Sequence, residues 1–206
     1  MFFFLNSTIR KTPLYIVCSM NILDWNPQGH ISPIYVNEPT SSNRSPYKIS
    51  LLDFYKRFST SDDRKKILDG LIAYRQKLHS LGFNKGFQWI DGSFLELIEK
   101  KEGRSPRDID VVTFIEEYPT DIQKNMAYIQ SEFPNVVKPL SKQLFMCDAF
   151  VLIIPELTPK ELIDQTAYWY GVWSHTREMH WKGFVEIDLN PSEDIALSEF
   201  LKGDSQ

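Results

Sequence analysis

The sequence predicts an α+β fold, a mixed β-sheet backed by helices, on two observations. Stretches patterned as strands and stretches patterned as helices mix without strict alternation, which is not the rhythm of a doubly wound parallel sheet. In 206 residues, 42% of them hydrophobic, there is material for one good core, so one domain is favoured over two. Fourteen Phe, nine Tyr and five Trp argue against disorder outside the ends. A net charge of -4 excludes the global basic footprint of a non-specific nucleic-acid binder, though not a local basic patch.

The elements are taken in chain order. Residues 1–19 read as a loose extension, consistent with an upstream start codon before Met20. Arg10 and Lys11 follow the apolar start instead of preceding it, and the apolar stretch is too short to span a bilayer. No membrane association is expected. Residues 20–48 carry Pro27, Pro33, Pro39 and Pro46 and read as an irregular arm, with residues 34–36 a short edge strand. The remaining residues, 49–206, form the expected domain. Ser50 caps a short helix to about residue 57. Thr60 and Asp63 fit a capping box for a longer helix ending at Ser80, with apolar residues at helical spacing and Gly82 as its stop.

Residues 87–90 are expected as a strand, broken at Asp91-Gly92-Ser93, and residues 94–101 as a short helix. A polar loop over 102–107 leads to a strand at 109–115, then a helix from about 120 to 133. Residues 144–154 form an apolar run interrupted only by Asp148 and are expected as a third strand. Thr158, Pro159 and Glu161 open another helix as cap, first turn and closing acid. A strand near 183–189 and a polar tail end the chain.

Asp108 and Asp110 carry the chemistry. Period-two spacing on a strand points both carboxylates to one face. Like charges that close raise each other's pKa unless something positive lies between them. A divalent cation is the usual partner, and hard oxygen ligands favour Mg²⁺ or Mn²⁺. Asp148 adds a third acid: unpaired in an apolar strand, it would cost on the order of several kcal/mol. If strand 144–154 lies beside strand 109–115, the three acids converge. The break at Gly92 and Ser93 supplies backbone N–H groups and a hydroxyl for close approach to a phosphate.

The ordered set Ile90-Asp91-Gly92-Ser93, a 14-residue spacer, Asp108-Ile109-Asp110 and later Asp148 resembles the nucleotidyltransferase superfamily related to DNA polymerase β. Residues 30–190 look more closely like an uncharacterised family of small bacterial nucleotidyltransferase-like proteins. That similarity rests on Arg44-Ser45-Pro46-Tyr47, residues 86–93, Asp108-Ile109-Asp110-Val111-Val112, Cys147-Asp148-Ala149-Phe150 and residues 182–187. The resemblance implies a minimal nucleotidyltransferase fold that transfers NMP from an NTP to a protein, nucleic-acid or small-molecule acceptor, with release of pyrophosphate. It further implies nucleotide phosphates at Gly92 and Ser93, with Asp108, Asp110 and Asp148 as catalytic metal ligands. Arg104 and Arg107, on the intervening loop, are placed to neutralise the triphosphate. A cytoplasmic protein of a bacterial toxin–antitoxin or phage-defence pair, with a partner protein, is the corresponding setting.

Other readings stay open at this level. Asp108 and Asp110 could pair with Arg104 and Arg107 on a solvated strand start, and Asp148 could face solvent on an edge strand. Glu186 and Asp188 look like ordinary in–out patterning. The aromatic segment 168–173, with Trp181, suits core packing or a dimer contact better than base stacking. His175 and His180 are off the spacing that would share a metal on one helical face. Cys147 reads as core, and Cys18 and Cys147 as reduced thiols of a cytosolic protein. The alternatives to a transferase are a non-catalytic nucleotide- or partner-binding module of the same fold and a metal-dependent phosphohydrolase or phosphotransferase.

Overall fold

The computed structural model describes residues 24–35 and 37–203, so the expected extension 1–19, with Cys18, lies outside it. Five strands among these residues form one sheet: β1 Tyr47–Lys48, β2 Gly86–Asp91, β3 Ile109–Ile115, β4 Cys147–Ile153 and β5 Val185–Asp188. Their order is β1-β5-β2-β3-β4. β2 runs antiparallel to β3 and β5, whereas β3–β4 and β1–β5 are parallel. The helices are α1 Leu51–Phe58, α2 Asp62–Ser80, α3 Ile98–Glu102, α4 Ile122–Glu132, α5 Leu140–Phe145, α6 Pro159–Trp173 and α7 Pro191–Gly203. The expected mixed sheet backed by helices is what the chain forms.

Strand pairing assigns each side chain to a face, since directly opposed residues share one. One face carries Gln88, Ile90, Val111, Thr113, Cys147 and Ala149, all buried, and is covered by α2. Its centre is polar but satisfied. Arg75, fully buried on α2, donates to Gln88 Oε1 (2.7 Å), to the Asp188 carbonyl (3.0 Å) and through two nitrogens to Asp194 on α7. The Gln88 amide donates to Thr113, whose hydroxyl also meets Tyr74. The opposite face carries Phe87, Trp89, Phe114, Phe150 and Asp188. There α6 packs Trp169 on Phe150 and Trp173 on Phe184. The expected aromatic segment is therefore mainly core, although Tyr168 and Trp181 stay exposed.

The arm lies against this body. Trp25 donates its indole N–H to the Leu95 carbonyl (2.7 Å), and Gly183 donates to the Ile31 carbonyl (2.7 Å). The expected edge strand at 34–36 is instead a single bridge between Ile34 and Arg44; Val36 is outside the described residues, and Tyr47–Lys48 forms the edge.

Several local expectations are corrected. The cap of α2 is Ser61, which accepts from the Arg64 N–H, one residue beyond the expected Thr60. Residues 94–101 do not form one helix: a 3₁₀ turn, Ser93–Leu95, precedes α3. The strand expected over 144–154 begins only at Cys147, because Leu144 and Phe145 end α5 and Met146 turns the chain at φ 56°. Leu144 is exposed, so the apolar run overstated burial. The polar tail is helix α7, whose Glu193 caps α1 by accepting from the Leu51 N–H (2.7 Å). By contrast, the cap on α6 is the expected one, with Thr158 and Glu161 exchanging hydrogen bonds.

Removing Arg75 leaves Gln88 Oε1 without its donor in the interior and Asp194 with the His79 imidazole (3.1 Å), and loss of one partner of a buried pair costs about 3–5 kcal/mol. Arg75→Ala is expected to lose that much in urea unfolding. Arg75→Lys is expected to recover little of it, because an ammonium cannot reproduce the two-nitrogen grip on Asp194.

Candidate active site

Strand register creates a row of acids. Asp91 on β2 is paired with Asp110 on β3, and Asp110 with Asp148 on β4, so all three side chains project from the same face. Asp108, just before β3, lies two residues from Asp110 and takes the same side. The strands expected to be neighbours are neighbours, which puts Asp108, Asp110 and Asp148 on one face, and Asp91 extends the row.

The turn leaving β2 fits against this row. Gly92 has φ 91° and ψ −176°, a conformation open essentially to glycine. A Cβ there would collide with Asp110 Oδ2, so glycine is also needed for space. The turn's own bonds run from the Leu95 N–H to the Gly92 carbonyl (3.1 Å) and from the Glu96 N–H to the Ser93 carbonyl (3.2 Å). Arg64 on α2, buried, clamps the chain just beyond Ser93. It donates to the Phe94 carbonyl (2.6 Å), the Glu96 carbonyl (2.7 Å) and the Glu99 carboxylate (2.6 and 2.9 Å).

Three lysines answer the acids. Lys182, with its side chain 7% exposed, places its Nζ 2.8 Å from Asp91 Oδ2 and 3.7 Å from Glu96 Oε1. Burial disfavours its charge, but Asp91, with Glu96 and Asp110, outweighs that and holds the ammonium above its ordinary pKa. Glu96 is also bound by Lys101 (2.6 Å), beside buried His30, whose pKa burial lowers. At the other end Lys142 on α5 reaches Asp108 Oδ2 (2.5 Å) and Asp148 Oδ2 (3.4 Å), while Lys138 stands 3.4 Å from Asp148 Oδ1.

Asp110 forms no ion pair with a described residue. Burial, then the charges of Asp91, Asp108 and Asp148, push its carboxyl up to about 6.

The remaining expectations sort clearly. Asp148 does lie on the edge strand, but it is turned into the row and only 22% exposed. The pairing of Asp108 with loop arginines is not formed: Arg104 binds Glu102 (2.7 Å), and Arg107 is exposed. Neither arginine meets the acids. Glu186 and Asp188 are taken up by Lys48, and Glu186 also accepts the Trp89 indole N–H. Cys147 is core, its thiol pKa raised by burial. Two grooves, of about 680 Å³ beside α2 and α7 and about 440 Å³ beside His79 and Tyr128, are lined by other residues.

Sequence reasoning missed Asp91, Lys182, Glu96, Lys142 and Arg64. Asp91 did leave a signal, a charge at the end of an apolar strand. The lysines left none, because they come from segments remote in sequence.

A hard cation can be tested against this set. Among the described residues no three His, Cys, Asp or Glu side chains are gathered closely enough to hold a metal ion as they stand. The Lys142 ammonium lies where Asp108 and Asp148 come nearest to sharing a cation. The donor chemistry nonetheless fits: four carboxylates in a row, Asp91 Oδ1 buried without a hydrogen-bond partner among the described residues, and Asp110 burdened by its neighbours.

Two measurements probe this geometry. Gly92→Ala combines an unfavourable φ with a collision on Asp110, and is expected to destabilise by about 1–3 kcal/mol in thermal or urea unfolding. The second concerns Asp110. Its folded carboxyl keeps a proton up to about pH 6 against an ordinary 3.8, so between those values the folded state binds more protons than the unfolded state. Stability therefore falls as pH rises through that window, by about 3 kcal/mol in full above it. With chelator present, Asp110→Asn should exceed wild type by roughly that amount at pH 8, and the difference should vanish toward pH 4. Urea unfolding at a series of pH values reads both.

Comparison with known proteins adds one match. Residues 23–188 fit the family described as a family of unknown function, DUF6932. No curated protein and no solved structure matches the chain. The match spans most of the sequence, the acid row and Lys182 included, and the chain belongs to the DUF6932 family.

Proposed function

We propose that the protein is a metal-dependent nucleotidyltransferase that moves a nucleoside monophosphate from an NTP to an acceptor hydroxyl. The observation that carries this reading is the register of Asp91, Asp110 and Asp148 on three adjacent strands, with Asp108 alongside and the Gly92–Ser93 turn packed against Asp110. Gly92 lets the backbone come close, and the Ser93 and Phe94 N–H groups stand outside the turn's own hydrogen bonds, available to phosphate oxygens. Arg64 fixes the Phe94 and Glu96 carbonyls, so this cradle is set before a ligand arrives.

Asp108, Asp110 and Asp148 would hold Mg²⁺ or Mn²⁺, which when bound supplies neutralisation of the triphosphate and of the departing pyrophosphate. The acceptor hydroxyl attacks the α-phosphorus, the bond to the β-phosphate oxygen breaks, and pyrophosphate leaves with the bond's electron pair. The hydroxyl proton passes to a carboxylate of the row. Asp148, on the edge strand, is assigned that role here. Burial of Asp91 against Lys182 keeps that acid in place as a fixed neighbour of Asp110.

A second reading, a non-catalytic nucleotide- or partner-binding module, is favoured by one observation, the Lys142 ammonium standing between Asp108 and Asp148. One experiment separates the two. Wild type and the Asp108→Ala/Asp110→Ala double variant are incubated with each α-labelled NTP and Mg²⁺ or Mn²⁺, and label is followed into protein, RNA and small acceptors. The transferase reading expects metal-dependent labelled product from wild type, with at least a hundredfold loss in the double variant, as when a charge-stabilising group is removed. Nucleotide binding in calorimetry without product under any condition moves the assignment to the binding module.

A further inference from the structure

The three lysines at the acid row are of two kinds. Lys182 is enclosed, with its backbone N–H bonded to the Ser174 carbonyl and its ammonium shared by Asp91 and Glu96. Lys142 belongs to the short helix α5, and its side chain is 49% exposed. Among the described residues only Asp108 and Asp148 hold its ammonium, at 2.5 and 3.4 Å. Lys138 is intermediate: half-exposed, 3.4 Å from Asp148 Oδ1 and 4.0 Å from the centre of the Phe150 ring. Only Lys142 bridges two acids of the row from a flexible stem that can withdraw into solvent.

An ammonium between two carboxylates meets the same charge demand as a hard cation between them, and the two cannot share the position. The row also retains unmet demand among the described residues, since Asp91 Oδ1 is buried without a hydrogen-bond partner, Asp148 Oδ1 has the Lys138 ammonium only at 3.4 Å, and Asp110 has no ion pair. We infer that Lys142 is a tethered cation that competes with divalent metal for Asp108 and Asp148. It holds the two acids together while the site is empty and must swing away before a metal ion binds. This inference rests on the reading of the acids as metal ligands.

The test uses Mn²⁺ alone, without nucleotide, and measures free Mn²⁺ by electron paramagnetic resonance at fixed ionic strength. Wild type, Lys142→Met, Lys142→Arg and Asp108→Asn/Asp110→Asn are compared, each checked for an unchanged unfolding midpoint or titrated well below it. Met keeps the aliphatic stem and removes the charge, and Arg keeps the charge. Expected is Mn²⁺ binding about tenfold or more tighter in Lys142→Met than in wild type, near wild-type binding in Lys142→Arg, and loss in the acid variant. Acid-dependent binding that is equal or weaker in Lys142→Met overturns the competition while leaving the metal reading intact. Equal tightening by Met and Arg overturns its basis in charge. Binding absent in every protein, or unaffected by loss of the acids, overturns the metal reading and this inference together.

Discussion

One buried contact, the Lys182 ammonium on the Asp91 carboxylate, sets the terms for the rest of the site. Asp91 is nearly inaccessible and stands directly across from Asp110. An uncompensated carboxylate there would be driven out or neutralised. Lys182 allows it to stay, and the lysine's own segment explains how. Its N–H is fixed to the end of α6, and the next residue, Gly183, donates to Ile31 of the arm. A Cβ at Gly183 would press on the Ser32 carbonyl and the Tyr47 ring, so arm, edge strand and lysine segment are fitted as one unit. The irregular arm thus takes part in positioning the acid end of the sheet.

The two faces of the sheet divide the remaining work. Under α2 the interior is polar yet closed, with Arg75, Gln88, Thr113 and Tyr74 satisfying one another. Such a network fixes one packing, because each member loses its partners if α2 shifts. The other face grades from aromatic under α6 to acidic at the end of β2 and the starts of β3 and β4. Mixed topology is what makes that gradient: an antiparallel β2–β3 pair and a parallel β3–β4 pair bring one strand end and two strand starts to the same edge.

How much of this was legible in the sequence depended on whether the signal was local. β3 has the expected bounds, and the Thr158–Glu161 cap is as expected, since both are written within a few residues. The pairing of Asp110 with Asp148 was reachable because each acid breaks an apolar strand. Helix α5 was not, as Leu144 and Phe145 continue the apolar run that becomes β4 and only the positive φ of Met146 divides them. Helix α7 was obscured by its acidic first turn, whose Glu193 and Asp194 face the N–H of Leu51 and the guanidinium of Arg75. The lysine contacts were out of reach for a plainer reason: a charge from another segment carries no mark of its partner.

Charge balance along the row gives the last step. Asp91 is answered by Lys182, and Asp108 and Asp148 by Lys142 and Lys138, which leaves Asp110 in the middle answered by none among the described residues. The most buried of the four, Asp91, is settled by Lys182, as expected where an unpaired charge costs most. The central acid is not settled in this way. The outer acids are held by lysines, and the central carboxyl, seated on the glycine turn, carries the repulsion of all three neighbours. Fold energetics alone give no reason to retain such an acid, since an amide would fill the same space without the repulsion. On the proposed metal-dependent reading, a positive ligand that arrives from outside would supply the reason, and Asp110 is where its charge would relieve the most.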